Sequence, residues 1–454
     1  MPPVPPHPLV EYEIRWKNYK RFADTDWLKI RPLTILIGPN NSGKSSIISP
    51  LLLLSQTMGS GDSDTPLVTH GDLIDVGNYT NFVHGHDSSR EVFFGLRYHL
   101  HKQTTKKIAP VGAYIPGALE LTFASGAKAQ QTRLSRYEVS DIYNRPYIAR
   151  SETSGSYNLT GAIDTASMNA DEKRAVGRAR PINFLFNPTR TLSSLEMPRD
   201  KAKKGKKRFS EPFSHYLAVV GAVYSGIFDL LVELSYVGPL RQRPKRFYRM
   251  AAESSKTVGT QGEDAPQIVK RMSPEALKRV DEWVRRFEFG DKLVCREIGG
   301  EFFELCFEGK GTCTNIADVG FGASQVVPLI IQAVSARPDS LTLAEQPEIH
   351  LNPRLQCILA DLFVEMAQAN HRVVVETHSE HLLVRLRTLI AAKKISPEKV
   401  AIYFVEKGES ESKVRMVPVS NSGNIDRESW PEGFFDDALR EALVLAKTQA
   451  EHRE

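Results

Sequence analysis

Along the chain the spacing of apolar positions changes several times, and each change marks a different element. Residues 11–37 read EYEIRWK and then PLTILI, which predicts short strands, the second of them buried on both faces. A glycine-rich turn follows at once. After it, residues 44–58 carry Ile47, Ile48 and Leu51 to Leu54 on a helical pattern, with Pro50 a local flaw. From about residue 90 to 160, the segments EVFFGLRYHL, ALELTFA and TRLSRYEVS alternate between Gly, Pro and Ser, which predicts an antiparallel β subdomain. Residues 161–235 are more polar and end in the apolar helix FSHYLAVVGAVYSGIFDLLVEL; they read as a largely helical insertion. From 236 onward come a helix over Pro274 to Phe287, strands near 293–308, and strand–helix alternation through 342–406. The expected division is therefore 1–160, 161–235 and 236–454, in an α/β fold.

Composition narrows the class. The 454 residues suffice for about three domain-sized units, and 41% hydrophobic with 25% charged residues argues against a disordered, collagen-like or membrane chain. The longest apolar run, Tyr216 to Phe228, is broken by Ser225 and ended by Asp229, and reads as a buried helix. The N-terminus lacks the basic start and apolar stretch of a secretory signal, so the cytoplasm is the expected compartment. Cys295, Cys306, Cys313 and Cys357 contain no CxxC pair and read as reduced structural thiols.

A net charge of +5 is too mild to mark a nucleic-acid binder. Its distribution says more. Lys201, Lys203, Lys204, Lys206, Lys207 and Arg208 lie within eight residues around Gly205, which predicts an exposed loop, either simply solvated or in contact with phosphates.

Gly38-Pro39-Asn40-Asn41-Ser42-Gly43-Lys44-Ser45 fits GxxxxGK[ST] at every fixed position, between a predicted strand and a predicted helix. The chemistry requires this arrangement. Glycines let backbone N–H groups approach phosphates, and the helix N-terminus adds partial positive charge. Lys44 reaches the β/γ oxygens and Ser45 ligates Mg²⁺, so Gly38, Asn40, Asn41, Gly43, Lys44, Ser45 and Ser46 are expected to hold ATP. Such a loop needs a carboxylate for the metal and a group that positions water, both at the end of a distant buried strand. Leu341-Thr-Leu-Ala-Glu345-Gln346-Pro347-Glu348 supplies them, with Glu345 expected on the metal and Glu348 either polarising water or merely salt-bridged. Val373-Val-Val-Glu376-Thr377-His378 is another buried strand, placing His378 where a sensor of the γ-phosphate would sit.

These stretches, with Ile316-Ala-Asp-Val-Gly320-Phe-Gly322-Ala-Ser324-Gln325, resemble the ABC-type ATPase heads of the RecF, SMC and OLD group. The resemblance is closest to bacterial predicted ATPases of the AAA family bearing EQPE-x-HL, ETHSEHLL and a late WPEGFF, here residues 430–435. It spans about residues 11–60 and 236–440. It implies that Gly322 and Ser324 form a signature acting on ATP bound by another subunit, and that His378 is the switch histidine. It also implies that Asn352-Pro353 belong to a loop crossing between subunits. One departure stands out: Gln346 occupies the position of the catalytic glutamate and cannot act as a general base, although it could orient water. Either Glu348 substitutes or hydrolysis is slow, as suits a switch.

Weaker patterns point elsewhere and are set aside. His84, His86 and Asp87 have no further spaced ligands, and the Asp291, Glu308 and Lys310 match to a nuclease D…ExK pattern is of a kind common by chance. The family implies an ATP-dependent homo-oligomer. OLD-type proteins carry a nuclease after the ATPase, and residues 379–454 are too few for one, so the effector is expected on another polypeptide. That arrangement resembles the ATPase subunits of two-gene anti-phage systems of the Septu and PARIS types, with a separate HNH or Toprim-like nuclease. The alternative is a RecF-like, ATP-dependent DNA-binding protein of repair or recombination, supported locally by the basic run.

Overall fold

A computed structural model describes residues 11–99, 116–126, 131–141, 144–153, 156–195, 209–252, 255–426, 444, 445 and 448. The basic run 201–208 and the segment 430–435 lie outside the described residues. The chain forms two compact units, one of residues 1–30 and 46–234, the other of residues 31–45 and 235–454. The phosphate loop thus belongs with the C-terminal half, and residues 161–234 belong with the antiparallel strands.

The second unit is built on a six-stranded sheet. Its strands are Leu33–Ile37 (β1), Ser235–Val237 (β2), Leu341–Glu345 (β3), Arg372–Glu376 (β4), Val400–Lys407 (β5) and Ser412–Met416 (β6). They lie in the order β2-β3-β4-β1-β5-β6, all parallel except β6, which returns antiparallel to β5. β1 and β4 are buried at every residue, as expected of parallel strands covered on both faces. The helices that begin in this unit include Lys44–Met58 (α1), Phe321–Ser335 (α2), Pro353–Gln368 (α3) and Glu380–Ala391 (α4). α1 continues through Pro50 without a break in its assignment. Each of the last two has a side-chain cap: Asn352 Oδ1 accepts from the Leu355 N–H at 3.0 Å, and Ser379 Oγ accepts from the Leu382 N–H at 2.9 Å. Val373, Val375, Leu359, Phe363, Leu383 and Leu386 form part of one core. A smaller antiparallel sheet, with Lys292–Gly299 paired to Phe302–Gly309, precedes α2.

Parallel register decides what stands at the sheet's C-terminal edge. Glu345 is the register partner of Glu376, and Glu376 of Leu36, so the acidic strand ends meet the start of the phosphate loop.

The first unit is an eight-stranded antiparallel sheet running from Phe22–Asp24 through Glu11–Tyr19 to Val92–His99 and on to Ser156–Thr160, with Leu28–Ile30 paired to Glu11–Tyr19. Trp16 is fully buried; its indole N–H donates to Ile47 O at 2.8 Å, and its ring meets Phe94 edge-on at 5.3 Å. The apolar helix Glu211–Val232 is long and apolar enough, by length and composition, to cross a membrane, which departs from the expectation drawn from its Ser225 interruption. Its buried residues, among them Phe213, Tyr216, Val220, Val223, Ile227 and Leu230, recur every three or four positions. The opposite side exposes Ser214, Ala218, Ala222, Ser225 and Asp229, the pattern of a helix lying on a core.

That helix is tied at its start. Glu172, 2% exposed, accepts from the Ser210 N–H at 2.9 Å, the Ser210 hydroxyl at 2.7 Å and the Asn169 N–H at 3.0 Å. Burial alone would raise the Glu172 pKa, but the hydrogen bonds from Ser210 and Asn169 outweigh it and hold the carboxyl below its ordinary value. A depressed carboxyl pKa stabilises the fold above the unfolded value, about 4.3, and loses that contribution as pH falls through the folded value. Glu172→Gln is therefore expected to cost about 2 kcal/mol in urea unfolding at pH 7. The difference from wild type should shrink below about pH 4; a constant difference would refute the ionic account.

Candidate nucleotide site

The loop between β1 and α1 is shaped by three left-handed residues, Gly38 at φ 149°, Asn41 at 60° and Gly43 at 102°. Gly38 admits no side chain, since a Cβ there would lie 2.5 Å from Val405 O. Asn41 tolerates its conformation as asparagine commonly does. Lys44 is 4% exposed, and its ammonium donates to Gly38 O at 3.0 Å and Pro39 O at 2.9 Å. Burial pulls its pKa down, while Glu376 and Glu348 oppose that shift. Asn40 and Asn41 are exposed at the rim. Ser46, the last residue of the predicted set, is buried and falls in the other unit.

Ser45 donates its hydroxyl to Glu376 Oε2 at 2.8 Å. The sequence drew attention to Glu345 for the metal, yet the carboxylate touching the Ser45 hydroxyl is that of its register partner on β4. Glu345 stands beside Tyr236, whose phenol pKa rises through burial and through the charge and hydrogen bond of Glu345. Neither Glu376 nor Tyr236 stood among the residues that the sequence placed at the site. The available signal for Glu376 was its place at the end of an apolar run, equivalent to that of Glu345.

After β3 the chain turns sharply. Gln346 adopts φ 42°, and its N–H donates to Glu376 O at 2.8 Å. Glu348 is 8% exposed; its Oε1 accepts the His378 N–H at 2.7 Å, and its Oε2 has no hydrogen-bond partner among the described residues. Burial pushes the Glu348 pKa up, against the His378 N–H, Thr377 and Arg241, which lower it. Burial also raises that of Glu376, against Ser45 and Lys44. Burial and then Lys44 lower the His378 pKa, so its half-buried imidazole is neutral near pH 7; its Nε2 has no partner among the described residues. The structure thus brings together Lys44, Ser45, Glu348, Glu376 and His378.

Within the predicted signature segment Ser324 is 7% exposed, and its hydroxyl donates to Phe321 O at 2.6 Å. Phe321, 40% exposed, Gly320 and half-buried Gly322 form the outer end of α2. Gly320 caps that end without a side-chain hydrogen bond, and its carbonyl accepts from the Ala323 N–H at 3.0 Å.

The residues suit a nucleotide with Mg²⁺. A glycine cradle precedes the N-terminus of α1, an ammonium lies within it, and the buried Ser42 Oγ, Glu348 Oε2 and His378 Nε2 have no partners among the described residues. No cluster of three or more His, Cys, Asp or Glu that could hold a metal occurs among the described residues. Mg²⁺ commonly takes one or two carboxylates and completes its shell from phosphates and water.

Comparison with known proteins agrees. Residues 33–154 match a family described as "AAA domain, putative AbiEii toxin, Type IV TA system", and residues 245–383 match an AAA ATPase domain. The first contains the phosphate loop; the second contains the α2 start, the acidic turn and His378. The chain is a P-loop ATPase. Residues 395–445 match a family described as a protein of unknown function, DUF3696. No curated protein matches. Among solved structures, an SMC head bound to the C-winged helix domain of ScpA is 12% identical at a TM-score of 0.43, covering 90% of this chain and 98% of that one. The SMC head domain from Thermotoga maritima is 11% identical at 0.37, with 90% and 98% covered. An Smc head with an extended coiled coil, bound to the C-terminal domain of ScpA derived from Pyrococcus furiosus, is 11% identical at 0.40, with 97% and 99% covered.

Lys44→Ala is expected to weaken ATP binding by at least about tenfold in titration calorimetry, some 1.4 kcal/mol, with a cooperative thermal transition retained. Glu376→Ala should abolish the gain in ATP affinity that Mg²⁺ confers over EDTA. An undiminished gain would take Glu376 out of the metal site.

Proposed function

We propose that the ATPase is a slow switch: ATP draws two or more copies together, and hydrolysis releases them, controlling a separate effector. The observation carrying this reading is the 2.8 Å bond from Ser45 to Glu376, which joins the phosphate loop to a strand-end carboxylate 331 residues away. In the proposed site Gly38, Asn40, Asn41, Gly43 and Ser46 shape the loop, whose N–H groups bind phosphate oxygens, and Lys44 balances their charge. Ser45, Glu376 and Glu345 hold Mg²⁺, which when bound offsets charge developing on the transferred phosphoryl group. Gln346 orients the attacking water. Glu348, its pKa raised by burial, accepts the proton, and neutral His378 donates a hydrogen bond to the γ-phosphate.

The α2 start, with Gly322 and the Ser324 backbone, supplies N–H groups to ATP held by a second copy, forming a dimer or higher oligomer. The effector would be a nuclease of HNH or Toprim-like type in bacterial anti-phage defence. A match to a domain described for a type IV toxin system is compatible with that setting. The RecF-like alternative, nucleic-acid binding through Lys201, Lys203, Lys204, Lys206, Lys207 and Arg208, draws on the basic run alone. A cytoplasmic location is part of the proposal.

Two outcomes test it. Light scattering should show that ATP and Mg²⁺ increase the mass of wild type but not of Gly320→Glu, because a Cβ at Gly320 meets nothing within 4 Å and the added charge repels phosphate. An unchanged wild-type mass would sink the assembly. Gln346→Glu should raise kcat by about tenfold or more, since it places a general base at the acidic turn; no increase would assign the rate limit elsewhere.

A further inference from the structure

The loop after β2 carries a buried arginine that lies outside the phosphate loop and the acidic strand ends. β2 pairs in parallel with β3, Val237 opposite Ala344, so the chain leaving β2 passes the acidic turn. Two backbone bonds fix that loop, from the Gly238 N–H to Thr260 O at 2.8 Å and from the Gln242 N–H to Gln261 O at 2.9 Å. Between them Arg241 is turned inward and only 5% exposed.

Its guanidinium reaches two elements. Nη2 donates to Glu345 O at 3.0 Å, while Nη1 lies 3.4 Å from both Gln346 O and Gln325 Oε1. Gln325, 1% exposed on the first turns of α2, in turn places its Nε2 3.4 Å from Ser324 Oγ. The 3.0 Å bond is the strong one; the 3.4 Å contacts are long for hydrogen bonds and easily broken or tightened by small movements. Burial of an arginine at such a site is costly, and it lowers the Arg241 pKa to about 10 although Glu348, Tyr236 and Glu345 favour the charge. A lysine could not reproduce these contacts, because they require the planar fork of a guanidinium.

We infer that Arg241 is a positioning residue that couples the acidic turn of one ATP site to the α2 segment contacting the ATP of a second copy. This rests on the proposed action of α2 in trans. The Arg241 fork holds Glu345 and Gln346 through their carbonyls and senses α2 through Gln325. When α2 meets a phosphate, the Gln325 contact changes, and with it the turn that aims water in the same subunit. Hydrolysis is thereby tied to assembly.

The test is a double-mutant cycle on full-length protein. Arg241→Met and Gln325→Leu should each lower kcat by about tenfold with KM for ATP within about twofold of wild type. The double variant should be no slower than the worse single one, because both cut the same link. Arg241→Lys, which keeps the charge, guards against misfolding and should retain the KM while recovering little of the kcat. Multiplicative losses in the double variant, a KM rising as far as kcat falls, or full rescue by lysine would each overturn the coupling. Scattering of wild type with ATP is read separately: if mass does not change, the trans-acting assembly fails, whereas an ATP-dependent oligomer with multiplicative kcat losses removes only the role of Arg241.

Discussion

Glu345 and Glu376 face one another as register partners at the ends of two adjacent parallel strands, and the site depends on how that pair is tolerated. Neighbouring strands are only about 4.8 Å apart, so two carboxylates at matched ends repel unless their surroundings separate or neutralise them. Here the two side chains have different partners: Glu376 accepts from Ser45 beside Lys44, while Glu345 is engaged with Tyr236. Glu348 adds a third carboxylate, itself buried and facing Lys44 and Arg241. Three acidic groups against two cations leave a net negative site, an electrostatic demand that a bound Mg²⁺ would meet.

The same edge dictates the backbone around it. The chain leaves β1 through a loop that must double back on its own lysine, and Gly38 is required because Val405 O lies where a side chain would begin. Leaving β3, the chain turns through the positive φ of Gln346, pinned by Glu376 O on one side and by Arg241 on the other. Strain of this kind persists where surrounding contacts over-determine a residue. The glutamine at this turn therefore differs from glutamate in chemistry while occupying a rigidly held position.

Much of this was legible in the chain itself. The phosphate loop is local: its glycines, lysine and serine are adjacent in sequence, and a strand before and a helix after suffice to define its shape. The alternation over residues 90–160 and the apolar runs at 341–345 and 372–376 likewise follow from side-chain periodicity, which reports burial without knowledge of partners. The burial of Ser324 was not legible, because helix phase at the first turn of α2 depends on what packs beneath it.

Sequence by itself determined the class of chemistry, a phosphate-binding loop with acidic strand ends and a histidine, since each motif is carried by contiguous residues. Tertiary structure alone decided which carboxylate meets Ser45 and which arginine enters the acidic turn. Those pairings cross 331 and about 100 residues of chain, and they follow from sheet order and register, which are cooperative properties of the packed sheet rather than of any one segment.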